Sequence, residues 1–451
     1  MPRRLQNYVV LLASLGFYAS WNWRYLGILL TIATTDFYVA RGLDTTRSAR
    51  RRPLLLSVSL LSNLGALVYF KYSNFFLSDF VKLLQKVGFT VSTPTLRVIL
   101  PLGISFYTFQ ALSYTIDVYR RKIESTKSLT EYLCFITFFP HIIAGPIQRA
   151  VHLLVQFRQP RDFDASAAVD GMRQMLWGFF KKMVIADNLS VLVARAYAHP
   201  AQMSGWGLLW ATYLFAIQIY CDFSGYTDIA IGCARLFNIH LTRNFAYPYF
   251  SRNIREFWHR WHIALTTWFR EYLYIPLGGS QHGQLRTTLN IFVVFVVSGL
   301  WHGANWTFVA WGALHGISYC AHDLLVRNRD AEVNAATATR PRQLVDLVRI
   351  FVTFNLVCAG WVFFRASTVH DATLILRRIV SDAGSFALPP RNLLFGIAVM
   401  LGVEWWRRNR EHGLAVDGGW RSLRWASYYT LILAVILYTP LEYRPFIYFQ
   451  F

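Results

Sequence analysis

The sequence predicts an all-α, polytopic integral membrane protein, and two observations carry that reading. Apolar residues make up 55% of the 451 positions and aromatic residues 17%, more than one soluble core absorbs, and the apolar runs recur from end to end. Lys and Arg outnumber Asp and Glu 45 to 24 and gather in clusters between the runs, the pattern of cytoplasmic loops rather than of nucleic-acid contacts. No DNA- or RNA-binding motif accompanies the net charge of +21, so nucleic acid is not an expected partner. Cys134, Cys221, Cys233, Cys320 and Cys358 lie in or beside apolar segments without CxxC spacing and imply no disulfide framework.

The chain opens with a basic start and an apolar stretch, but Tyr18, Trp21 and Trp23 stand where a cleavage site needs small residues, so a retained first span is expected. Residues 5–23 and 25–40 read as two short spans joined at Asn22 and Arg24. The cluster Arg47, Arg50, Arg51 and Arg52 then marks the cytoplasmic side. Residues 54–69 cross outward, 75–87 have the amphipathic spacing of an interfacial helix, and 98–118 cross back to Arg120, Arg121 and Lys122. Residues 129–156 are interrupted by Pro140, Gly145 and Pro146 and suit a broken or re-entrant segment. The run 172–196 carries Lys181, Lys182 and Asp187 and must turn one side to protein or water, whereas 206–236 is long enough for a tilted span.

From residue 238 to 286 basic and aromatic residues mix densely, as at a membrane interface, which predicts one or two amphipathic or re-entrant helices. A hairpin of 289–300 and 306–325 follows, then a polar cytoplasmic loop over 327–343, then spans at 344–364, 393–406 and 425–441. The total is about ten or eleven spans. All 451 residues form a single membrane domain: N-terminal helices (1–125), a catalytic core with polar re-entrant segments (126–326), the loop, and C-terminal helices (344–451).

Three polar groups interrupt the apolar runs. In residues 290–316, NIFVVFVVSGLWHGANWTFVAWGALHG, the imidazole of His302 sits with Asn305 in a run of membrane length that ends at a second histidine, His315, and Gly316. Such a residue either serves a functional site or bonds to a neighbouring helix. In residues 256–270, EFWHRWHIALTTWFR, His259 and His262 are three apart and so share a helix face; no third ligand accompanies them, and no metal site is expected. In residues 220–231, YCDFSGYTDIAI, Asp222, Ser224, Tyr226 and Asp228 interrupt a span, as a functional cluster or as a helix-to-helix hydrogen-bond cluster.

SGLWHGANWTFVAWGALHG, YCDFSGYTDIAIG and NFAYPYFSRNIREFWHRWHIALTTWFREYLYIPLGG resemble the membrane-bound O-acyltransferase family, in its bacterial branch that acts in alginate and other polysaccharide O-acetylation. PLGISFYTFQALSYTIDVYR, FFPHIIAGPIQR and the closing PFIYFQF extend the resemblance over nearly the whole chain, in order. It departs in one respect: members of that branch carry a further hydrophobic segment before the one that begins here at Asn7, so a late start or a missing helix is expected.

The resemblance implies helices around a central funnel in a bacterial inner membrane. It also implies catalytic roles for His302 and His262, an orienting role for Asp222, and substrate contacts by Asn305, Trp301, Ser298 and Tyr226. No bound cofactor is expected. Acetyl-CoA or another acetyl thioester is the implied co-substrate, drawn in by the arginines and lysines of residues 244–286. The implied partners are membrane lipids, a periplasmic or membrane-anchored acetyl-transferring protein, and a polysaccharide acceptor. An imidazole with an ordinary pKa near 6.5 can take a hydroxyl proton as an acyl carbon is attacked, which suits this chemistry. The competing function class is a transporter or flippase that uses the same intramembrane groups without covalent chemistry.

Overall fold

The computed structural model describes residues 1–92, 96, 99–333, 343–385, 388–415, 420–442 and 444–447. Among them the chain is helical throughout with no strand, so the expected all-α membrane class holds. Among the described residues four helices are long and apolar enough to cross a membrane: Arg3–Thr45, Arg51–Lys86, Gly283–His302 and Leu344–Arg365. Other helices in the expected spans are shorter or carry polar groups. Ile104–Tyr119 has only 16 residues yet is buried along nearly all of them, and Gly205–Leu236 contains Asp222 and Asp228.

The helices form two compact units, residues 1–168 with 233–242, and residues 169–232 with 243–451. In the first, Arg3–Thr45 is bent where Asn22 takes an extended conformation (φ −164°, ψ 108°), which divides it at the expected junction. Arg51–Leu67 runs through a π-helical turn, Val68–Tyr72, into Ser73–Lys86. The segment read as a separate interfacial helix is therefore the end of a long one, because no Gly or Pro stands between Ala66 and Lys86 to stop it. Buried Asp36 accepts hydrogen bonds from Ser59 (2.5 Å) and Asn63 (2.8 Å) and so is satisfied inside the unit. The broken segment is also as expected: Leu129–Thr137, capped by Ser128, gives way to turns through Gly145, whose Cβ would strike His141.

In the second unit a π-helical turn, Phe180–Ala186, links Ala165–Phe179 to Asp187–Ala198 and turns Lys181 and Lys182 towards Gly205–Leu236. Gly178 and Gly225 let these backbones meet, since a Cβ on either would press on the other's carbonyl oxygen at 2.6 and 2.8 Å. Gly283–His302 and Trp306–Val333 form the expected hairpin, and Gly299 and Gly312 again allow the close approach. The second helix runs on to Val333, correcting the expected loop at 327–333. Arg327, Arg329, Ala331 and Glu332 are good helix formers and nothing in the stretch breaks the pattern. Residues 334–342 of that loop lie outside the described residues, and Gln343 already begins the helix Gln343–Arg365. A further helix, Val369–Ser381, was not anticipated; Thr368 caps it, accepting from Asp371 N at 3.0 Å.

Candidate active site

His302 is the last residue of Gly283–His302, ahead of an extended Gly303, and is 4% exposed. Aromatic rings fix its position: Trp301 and Trp311, each with a centroid 5.0 Å away, and Phe364 at 5.3 Å. Ser298 lies four residues earlier on the same helix face.

His262 has a different kind of backbone. It is 1% exposed and left-handed (φ 44°, ψ 54°), a conformation that costs a non-glycine residue on the order of 1 kcal/mol or more and persists only where surroundings impose it. Asn244 imposes it. Its backbone carbonyl accepts from Ile263 N at 2.9 Å, and its side-chain Oδ1 accepts from Ala264 N at 3.2 Å and faces His262 Nδ1 at 3.0 Å. The helix Ile254–Arg260 thus ends before His262, and Ile263–Phe269 begins after it. This corrects the shared helix face expected of His259 and His262. The first stands on the earlier helix, bonded through Nδ1 to Arg255 O at 2.7 Å, and the second at the break.

The break and the hairpin bring His262, His302 and Ser298 to the wall of one cleft of about 400 Å³. Most of that wall is apolar or aromatic, with Trp258, Trp261, Leu265 and Phe295 among its residues. Its exposed part is cationic: Arg255 and Arg270 line it, and Asp323 lies 3.8 Å from Arg255. Trp301 touches both imidazoles, with centroids 6.2 Å from His262 and 5.0 Å from His302. A largely apolar-walled pocket holding two buried imidazoles beside the Ser298 hydroxyl, with His259 and two arginines at its exposed wall, can position an anionic substrate and move a proton.

The other expected site residues are elsewhere. Asp222 does not line the cleft: it pairs with Lys182 at 2.6 Å and accepts from Ile447 N at 2.6 Å. Nearby, Lys181 meets Asp228 at 2.7 Å, Glu404 at 3.7 Å and Ser224 at 2.9 Å, and Tyr220 donates to Glu404 at 2.8 Å. These charges compensate one another. Asn305 caps the helix that follows it, accepting from Thr307 N at 3.0 Å and donating to Ser367 O at 3.1 Å. Tyr226 packs on Phe446, 5.4 Å between centroids. Reading the sequence missed Asn244, Tyr319 and Asp323; a lone Asn among interfacial aromatics gives no signal of the segment it will meet.

Fold and cleft together define a multi-pass membrane protein with a histidine site among its apolar helices. Residues 54–367 match the membrane-bound O-acyltransferase family. The chain belongs to that family and is an O-acyltransferase. It is 37% identical over 375 residues to a probable alginate O-acetylase of Azotobacter vinelandii, covering 82% of this chain and 72% of the relative. To a probable alginate O-acetylase of Pseudomonas putida it is 34% identical over 480 residues, covering 100% and 95%. To a peptidoglycan O-acetyltransferase of Helicobacter pylori it is 36% identical over 402 residues, covering 83% and 74%.

Proposed function

We propose that the protein sits in a bacterial inner membrane and moves an acetyl group from a cytoplasmic thioester, acetyl-CoA or a similar donor, to an extracytoplasmic polysaccharide, directly or through a partner protein. The observation that carries this is the cleft itself, with both buried imidazoles on one wall and Arg255 and Arg270 at its exposed part. The arginines attract a phosphorylated donor and the apolar wall accepts its acyl end.

In the transfer, an acceptor hydroxyl attacks the acetyl carbonyl while His302 Nε2 or Nδ1 takes its proton. The new C–O bond forms, the C–S bond breaks, and the imidazolium returns the proton to the departing thiolate. His262 serves the same cleft as a second proton-handling group, and Ser298 and Trp301 shape the space for the acyl group. The names of the relatives point to polysaccharide and peptidoglycan acceptors, and the acceptor class here is taken from them.

Two labels on one donor test the reading. Protein reconstituted in vesicles receives acetyl-CoA labelled in the acetyl group and, separately, in the nucleotide. The proposal predicts that acetyl label reaches an acceptor or is released by hydrolysis while nucleotide label stays on the side of addition. Both labels crossing together would contradict it and favour transport.

A further inference from the structure

Asn244 lies 18 residues before His262 in sequence, yet it makes the contacts that decide what His262 can do. Its Oδ1 sits 3.2 Å from Ala264 N, and a backbone N–H only donates, so the atom there must be the acceptor oxygen and not the amide nitrogen. The same oxygen lies 3.0 Å from His262 Nδ1. An oxygen without a hydrogen forces the ring nitrogen facing it to be the donor. In a neutral imidazole, with Nδ1 protonated, Nε2 then carries the lone pair.

The other end of Asn244 accommodates this orientation. Nδ2 is buried with no protein partner among the described residues, and Asn244 lines a small polar cavity of about 20 Å³ beside Lys181, Asp228, Tyr247 and His412. That volume has room for one water molecule, and such a water would find carboxylate and hydroxyl groups to bridge. A flipped amide would put a donor against the donor at Ala264 N, so that contact selects one orientation.

We propose that Asn244 is the positioning residue of the active site: it holds His262 in the Nδ1–H tautomer, so that the basic Nε2 lies on the other side of the ring, and it fixes the left-handed turn that brings the ring to the cleft. The inference rests on the catalytic reading of His262, and it adds which nitrogen does the work and which residue selects it.

The test is the ¹⁵N spectrum of histidine-labelled protein, with His262 assigned by its loss in His262→Gln. Wild type and Asn244→Asp, which keeps an acceptor at the same place, are expected to show His262 protonated at Nδ1. Asn244→Ala is expected to populate the Nε2–H tautomer and to lose about a hundredfold in kcat with little change in KM, and Asn244→Asp to recover most of that loss. A wild-type spectrum with the proton on Nε2 overturns the proposal, whatever happens to the variants' folding. So does an Asn244→Ala protein with an unaltered His262 signal. The spectrum is independent of turnover; full activity in His262→Gln would instead sink the catalytic reading while leaving the tautomer assignment standing.

Discussion

Within the second unit, charge and polarity are handled in two opposite ways. Around Lys181 and Lys182 every charged group faces an opposite charge: Asp228 and Glu404 on one side, Asp187 and Asp222 on the other, with Ser224, Tyr220 and Ile447 N completing the hydrogen bonds. Around His262 and His302 the neighbours are rings of Trp301, Trp311, Phe223 and Phe364, and the space between them is a cleft. The first arrangement spends its polarity on holding helices together. The second keeps its polar atoms beside a volume that a substrate can enter. A buried carboxylate in a membrane span can be paired away from the cleft that holds the histidines, as Asp222 is with Lys182 and Ile447 N.

Breaking each region should fail in a different way. The largest stability loss is expected from Lys181→Met, which strands Asp228 and Glu404 in the interior; removing one member of such a buried group costs about 3–5 kcal/mol. Thermal unfolding in detergent should show that loss, and an unchanged midpoint would mean the network is not a structural tie. Next in size is Gly299→Val. Its Cβ would press on the Phe308 carbonyl, and overpacking of this kind costs roughly 1–3 kcal/mol. Because His302 stands three residues on, activity should fall further than stability alone explains. If activity and unfolding midpoint move in proportion, the hairpin spacing does not position the histidine.

Asn305→Ala should be milder. It removes a helix cap, worth about 1 kcal/mol, and is expected to lower the unfolding midpoint slightly while leaving KM for the donor in place. A large rise in KM would return Asn305 to the substrate site. Smallest in stability, yet informative, is Arg255→Gln on the exposed wall: no change in unfolding, and a several-fold rise in donor KM at low salt that shrinks as salt screens the charge. A KM that ignores both the substitution and the salt would remove the cationic wall from donor binding.

Much of the architecture was legible because it depends on local signals. Asn22 and Arg24 interrupt the first apolar run, Pro140 and Gly145 break the segment after Thr137, and the glycines around His302 mark a tight hairpin; the structure bends or packs closely at each. The break at His262 had no such signal. Residues 256–270 contain no glycine or proline and read as one helix, and the left-handed turn is made by Asn244 from a different stretch of chain. For the same reason the sequence does not show where Asp222 and Asn305 lie: their hydrogen-bond partners, Lys182, Ile447 and Ser367, are far away in sequence. Residue types told where polar atoms interrupt the membrane run, and only the fold told which of them share a cavity.

In the proposed reaction the cleft, and not the charged network, carries the transfer, with His302 as its base. That role is tested most directly by single-turnover acetyl transfer from labelled acetyl-CoA in purified His302→Ala protein, alongside wild type of matched unfolding midpoint. A fall on the order of 10²–10⁴ in the transfer rate is expected, with the protein still folded. Transfer at the wild-type rate from a folded His302→Ala protein would contradict it.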